Sequence, residues 1–220
     1  MKLTLIAVCS AILISCNSEV KNPESTKSDS SEAGTTQPLA AEPKAEEWVP
    51  VDSATAMKAM IEAGTPGKEQ ALLAKANGNW NAEITMWESP EATPSKFKGL
   101  VTNKMVLGGR YQVSTFKGNM MGMPFEGTST IGYDNARKLW VNTWVDNMST
   151  GIMNMEGTSD DASKTVTYTG KMICPANGKM CEIKQVVKTI DDKTEIMEMY
   201  GPDMKTGKQY KNMEMKLTKG

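Results

Sequence analysis

From Gly78 to the end of the chain, apolar residues recur at every second position in short runs closed by Gly, Asn, Asp or Pro, with no stretch of helical period between them. Trp80, Ala82, Ile84 and Met86 make one run, Tyr111, Val113 and Thr115 another, and Leu139, Val141, Thr143 and Val145 a third. Further runs lie at 98–107, 125–132, 151–157, 164–172, 181–190, 194–200 and 209–217. About ten strands joined by short turns form an antiparallel meander, and an open sheet of that size would leave two unpaired edges. The pattern therefore predicts an all-β fold, a single antiparallel up-and-down β-barrel, in preference to a sandwich. A short helical segment at about 53–77 precedes it. Ser53 is placed to cap a helix in which Met57, Met60 and Ile61 fall at helical spacing, and Thr65-Pro66-Gly67 separates it from a second helix carrying Leu72 and Leu73.

The first residues carry a different signal. Lys2 precedes an apolar stretch to Ser15 that is short of the roughly 20 residues needed to span a bilayer. Leu13-Ile14-Ser15-Cys16 resembles the lipobox of a bacterial lipoprotein signal peptide, which implies removal of residues 1–15 and acylation of Cys16. Residues 16–47 are Ser, Thr, Glu, Lys, Pro and Ala with almost no large apolar side chain. Such a stretch buries too little surface to offset ordering entropy and reads as a disordered tether. The globular domain is expected over 48–220, membrane-anchored at the cell envelope, with the outer membrane implied because Asn17 is not the aspartate that retains enterobacterial lipoproteins at the inner membrane.

Composition removes several kinds of chemistry. The chain has no histidine, so Ser-His-Asp and Cys-His nucleophile activation and His-ligated metal or haem are excluded. Net charge is −1 and only Arg110 and Arg137 are arginine, which argues against nucleic acid as a partner. With Cys9 in the signal and Cys16 acylated, Cys174 and Cys181 remain. In an exported protein they are expected to form a disulfide across a hairpin end that contains Asn177-Gly178. A redox or metal-binding pair is the sharper alternative, and no further soft-ligand cysteine or histidine accompanies it.

Several ordered motifs carry a family resemblance. Thr65-Pro66-Gly67, Leu72-Leu73, Gly78-Asn79-Trp80, Met86-Trp87, the segments 107–111, 122–127, 132–135 and 143–151, and Glu198-Met199-Tyr200 resemble, in order, the bacterial family called domain of unknown function 1579. The resemblance implies a calycin-type, lipocalin-like barrel with the helical segment plugging one end, and no chemistry. Relatives often carry a histidine just before the paired leucines, where this chain has Gln70.

Methionine marks the candidate site. Met121 and Met123, Met153 and Met155, Met197 and Met199, and Met213 and Met215 are i,i+2 pairs, so on strands each pair shares one face. Three readings stand: a packed core, an apolar cavity for a lipid-like ligand, and a thioether site for Cu(I). Met86 joins the candidate lining, as do Trp144 and Asp146, which share a strand face with Met148 next to a turn. There Asp146 either orients a ligand at the barrel mouth, accepts a bond from a tryptophan, or caps the turn. Glu83, Glu88, Glu126 and Asp134 are the other carboxylates open to catalysis; structural roles fit Glu126 and Asp134 better because both flank turns. The segment 118–122 reads as a hairpin tip. The expectation is a non-enzymatic envelope lipoprotein without cofactor or metal, holding a small apolar ligand. The alternatives are a filled barrel that engages another protein and a carboxylate-based enzyme.

Overall fold

The computed structural model describes residues 47–220. The signal peptide at 1–15, the lipidation of Cys16 and nearly all of the 16–47 tether lie outside the described residues. Val49–Gly220 form one compact unit. Two helices, α1 (Ser53–Gly64) and α2 (Lys68–Lys75), lead into ten strands: β1 (Gly78–Met86), β2 (Ser95–Val106), β3 (Tyr111–Met120), β4 (Met123–Asp134), β5 (Leu139–Asp146), β6 (Met153–Asp160), β7 (Thr165–Ile173), β8 (Met180–Asp191), β9 (Thr194–Pro202) and β10 (Gln209–Lys219). Each strand pairs antiparallel with the next, and β1 also pairs with β10, with Ala82 opposite Leu217 and Ile84 opposite Met215. The barrel is closed and up-and-down, as the alternation predicts.

Register sorts the side chains. Trp80, Ala82 and Ile84 of β1, Val101 of β2, Phe116 of β3 and Leu217 of β10 point inward and form one buried cluster. Trp140, Met155 and Tyr168 form a second. A buried ring of this size removes roughly 200 Å² from water, an upper-bound contribution of about 5 kcal/mol at about 25 cal/mol per Å². Inward glycines make room for these rings: a Cβ on Gly99 or Gly118 would meet Phe116, one on Gly157 would meet Tyr168, and one on Gly127 would meet Trp144. The outer face carries ion pairs such as Lys117–Glu126 at 3.0 Å and Lys98–Glu83 at 3.8 Å, a hydrated exterior.

Local rules place the turns and caps. Met121 and Gly122 both have positive φ (53° and 81°), the two-residue turn that matches strand twist, so the segment 118–122 does form a hairpin tip. Met121 therefore belongs to the turn and is not paired in orientation with Met123, contrary to the i,i+2 reading. Helix α1 is capped by Asp52, whose Oδ1 accepts from the Ala54 and Thr55 amides at 3.0 Å each. Ser53 is thus the first helical residue and not the cap, because a carboxylate one position earlier serves both free amides. None of α1 is buried, and Met57, Met60 and Ile61 face outward to solvent.

Helix α2 closes one end of the barrel. At its start, Gln70 Oε1 accepts from the Gly67 amide at 2.7 Å while Gln70 Nε2 donates to the Tyr133 carbonyl at 3.1 Å. Its last turn leaves carbonyls without helical partners, and barrel side chains supply donors to them. Gln112 Nε2 donates to Leu73 O (2.7 Å), Lys219 Nζ to Lys75 O (2.8 Å), and both Trp80 Nε1 (2.8 Å) and Asn103 Nδ2 (3.1 Å) to Ala76 O. The plug is fixed by hydrogen bonds from four strands, not by apolar contact alone.

Candidate functional site

The inward faces of β8, β9 and β10 are built differently from those of β1 to β5. In β9, Met197 pairs with Val187 and Met215, and Met199 pairs with Gln185 and Met213, so all these side chains share the lumen face. Met86 and Met213 are opposite each other between β1 and β10. These inward side chains are only half-buried, whereas Trp80, Ala82, Ile84 and Trp140 are fully buried. Met86, Met213 and Met215 pack against the cluster around Trp80, and Met153 against the one around Trp140, while each keeps part of its surface accessible. By register Met86, Met153, Met197, Met199, Met213 and Met215 all face inward. Met155 faces inward too but is fully buried against Trp140 and Tyr168, where Gly170 leaves space for it.

Trp144 and Asp146 lie at the mouth, the end opposite α2. Trp144 Nε1 donates to Asp146 Oδ2 at 2.8 Å, and Asp146 Oδ1 accepts from the Met148 amide at 2.9 Å. Desolvation alone would raise the Asp146 carboxyl, but the bonds from Trp144, Met148 and Ser149 outweigh it and hold the group below the usual carboxylate range. Both oxygens are thus engaged by the protein itself, so Asp146 holds the indole and the turn. Met148 has left the strand and is exposed. Phe125 stacks on Trp144 with centroids 6.4 Å apart, and Phe116 packs on Phe125 at 5.7 Å, giving the mouth an aromatic rim.

The expected disulfide is corrected: Cys174 and Cys181 are free thiols. Cys181 pairs with Met172, while the Cys174 amide donates to Lys179 O at 2.8 Å. The cysteines are consequently diagonal neighbours. Their side chains still lie close enough for the two thiols to interact directly. Desolvation and the adjacent Cys174 sulfur push the Cys181 thiol up, so it stays protonated and weakly nucleophilic at neutral pH.

Several lumen residues have no counterpart in the sequence-based expectation. Ser129 Oγ donates to Asn142 Oδ1, and Asn142 Nδ2 reaches Gln185 Oε1 at 3.5 Å, a polar band on the inner wall. Glu195 faces inward between Leu217 and Thr189. Desolvation raises its carboxyl pKa, with Lys219 opposing that shift, and burial likewise raises the Tyr168 hydroxyl, with Glu195 adding to it. Elsewhere, a concavity of about 290 Å³ lies along Glu83–Thr85 and Lys96–Lys98. Another, of about 60 Å³, lies between the linker at Thr65-Pro66 and Arg110, Tyr111 and Asn135.

Residues 65–219 match the family described as Protein of unknown function (DUF1579). No curated protein matches the sequence. Among solved structures the chain is similar to the crystal structure of Rv2717c from M. tuberculosis, with TM-score 0.52 and 11% identity over 71% of this chain and 99% of that one. It is similar at lower scores to the S-type phycobiliprotein lyase CPES from Guillardia theta (TM-score 0.47, 6% identity, 73% of this chain and 96% of that one). A redesigned β-barrel matches with TM-score 0.35 and 9% identity, over 67% of this chain and 94% of that one. At 11% identity the likeness to Rv2717c is one of fold alone.

Proposed function

The chain belongs to this family, and we propose that it is a non-enzymatic lipoprotein of the bacterial envelope whose barrel holds a small apolar or lipid-like ligand. The observation that carries this reading is the wall formed by Met197, Met199, Met213 and Met215, which faces inward and yet remains half-buried. A close-packed core would bury those thioethers as fully as it buries Met155. Methionine suits such a wall because its unbranched, polarizable side chain adapts to different apolar shapes. The closed end is held by α2, so a ligand enters at the aromatic rim. The polar groups at that rim, Asp146 and the Trp144 N–H, bond each other and have little left for catalysis.

Acylation of Cys16 would hold the barrel at the outer membrane, within reach of lipid-like molecules; it needs no cofactor or metal. The test is extraction of protein purified from the cell envelope, followed by native mass spectrometry. A co-purifying apolar species that leaves on extraction supports the reading, and a barrel that never carries one contradicts it. A second reading, a filled barrel that engages another envelope protein, has one observation in its favour: Met57, Met60 and Ile61 of α1 and Met121 and Met123 of the hairpin tip are exposed.

A further inference from the structure

The closed end of the lumen contains polar groups that the fold leaves without partners. Beneath α2, Trp140 and Tyr168 pack with Met155 against Leu73 and Val187. Trp140 is 3% exposed, and its Nε1 has no hydrogen-bond partner. An indole N–H buried in this way costs about 1–3 kcal/mol until an acceptor reaches it. Glu195 faces the lumen from β9 at the level of Leu217, and its charge adds to the upward shift of the Tyr168 hydroxyl. The cation that acts on Glu195 is Lys219, whose ammonium already donates to Lys75 O at 2.8 Å and sits 5.4 Å from the centre of the Trp80 ring.

We propose that the lumen selects an amphiphile with an uncharged, hydroxyl-bearing head, seated at the closed end by Glu195 and Trp140, and rejects one with a carboxylate or phosphate head. The inference rests on the ligand-binding reading above and names its ligand class. A hydroxyl donates to the Glu195 carboxyl and accepts from Trp140 Nε1, satisfying the indole N–H that the fold leaves without a partner. An anionic head would accept from Trp140 but lie beside the Glu195 carboxylate, with the single cation Lys219 shared between two negative charges. Its apolar tail would run along Met197, Met199, Met213 and Met215 toward the mouth.

The test is displacement of a bound neutral dye, N-phenyl-1-naphthylamine, by dodecanol, laurate and dodecylamine at neutral pH, each below its micelle concentration. Dodecanol should displace the dye from the parent protein at a concentration at least about tenfold lower than laurate. Part of that gap is intrinsic hydrophobicity, so the decisive comparison is Glu195→Gln. It should narrow the gap about fivefold or more, with each displacement referred to that variant's own dye affinity. Laurate equal to dodecanol on the parent, or a gap unchanged in Glu195→Gln, overturns the inference. Dodecylamine binding best overturns it too, in favour of an ion pair with Glu195. A parent that binds no dye saturably removes the ligand-binding reading itself, whereas dye binding without the head-group preference removes this inference alone.

Discussion

Gly127→Ala tests the packing of the mouth. Gly127 is buried in β4, and a Cβ there would fall within the van der Waals envelope of Trp144 Cζ2 and Cη2, with Cε2 at 3.0 Å. The indole must move, and it is held by Asp146 at 2.8 Å and by the Phe125 stack. Losing a hydrogen bond to a charged group costs about 1.5–3 kcal/mol, and weakening an aromatic pair costs about 0.5–1.5 kcal/mol. Against this, replacing glycine by alanine within a strand gains about 0.5–1 kcal/mol. The net destabilisation is about 1–4 kcal/mol, a Tm loss of roughly 2–4 °C for each kcal/mol in a domain of this size. Thermal unfolding followed by tryptophan fluorescence measures it. The control is the same substitution in a Trp144→Leu background, where the clash is gone and Gly127→Ala becomes neutral or stabilising. An equal cost in both backgrounds refutes the argument that Gly127 exists to seat the indole.

Three further outcomes follow from the geometry. Gln112→Leu strips the Leu73 carbonyl of its donor and should destabilise by about 1–3 kcal/mol, seen in denaturant unfolding, with faster amide exchange confined to α2 and the adjoining strand ends. Folded Glu195 holds its proton more tightly than the unfolded chain does, so folding becomes less favourable as pH rises through the ordinary carboxylate range. Glu195→Gln should therefore be the more stable protein at neutral pH and lose that advantage below about pH 4, a crossover readable from Tm against pH. Cys16→Ala should leave the protein unacylated and in the soluble fraction, because each buried methylene of an acyl chain contributes about 0.8 kcal/mol and the polar tether has no equivalent. Persistent membrane association of that variant would count against the anchor.

The barrel was legible because alternation and turn residues recur from Gly78 to Lys219, and both are local signals. The polar lumen was not. Tyr111, Val113 and Thr115 alternate, as do Leu139, Val141 and Thr143, but alternation alone does not say which parity faces inward; in the structure it is Gln112, Phe116, Trp140 and Asn142. β-Branched residues suit a pleated surface on either face, so they do not by themselves identify the core. Parity with the aromatics carries the missing information. Asn142 lies between Trp140 and Trp144 at spacing two, and Glu195 shares parity with Met197 and Met199, so each must face where its neighbours face. A turn motif likewise sets the hairpin but not its register, and here Cys174 lies diagonal to Cys181, both as free thiols.

The central claim is that the methionine wall lines a space a ligand can occupy, and Met199→Trp tests it most directly. Met199 faces the lumen between Gln185 and Met213 and is half-buried. If the space is real, the indole fills it: saturable binding of N-phenyl-1-naphthylamine should weaken by at least about tenfold while stability changes by less than about 1 kcal/mol. A parent that binds no dye, with a Met199→Trp protein destabilised by about 3 kcal/mol or more as in an overpacked core, would contradict it.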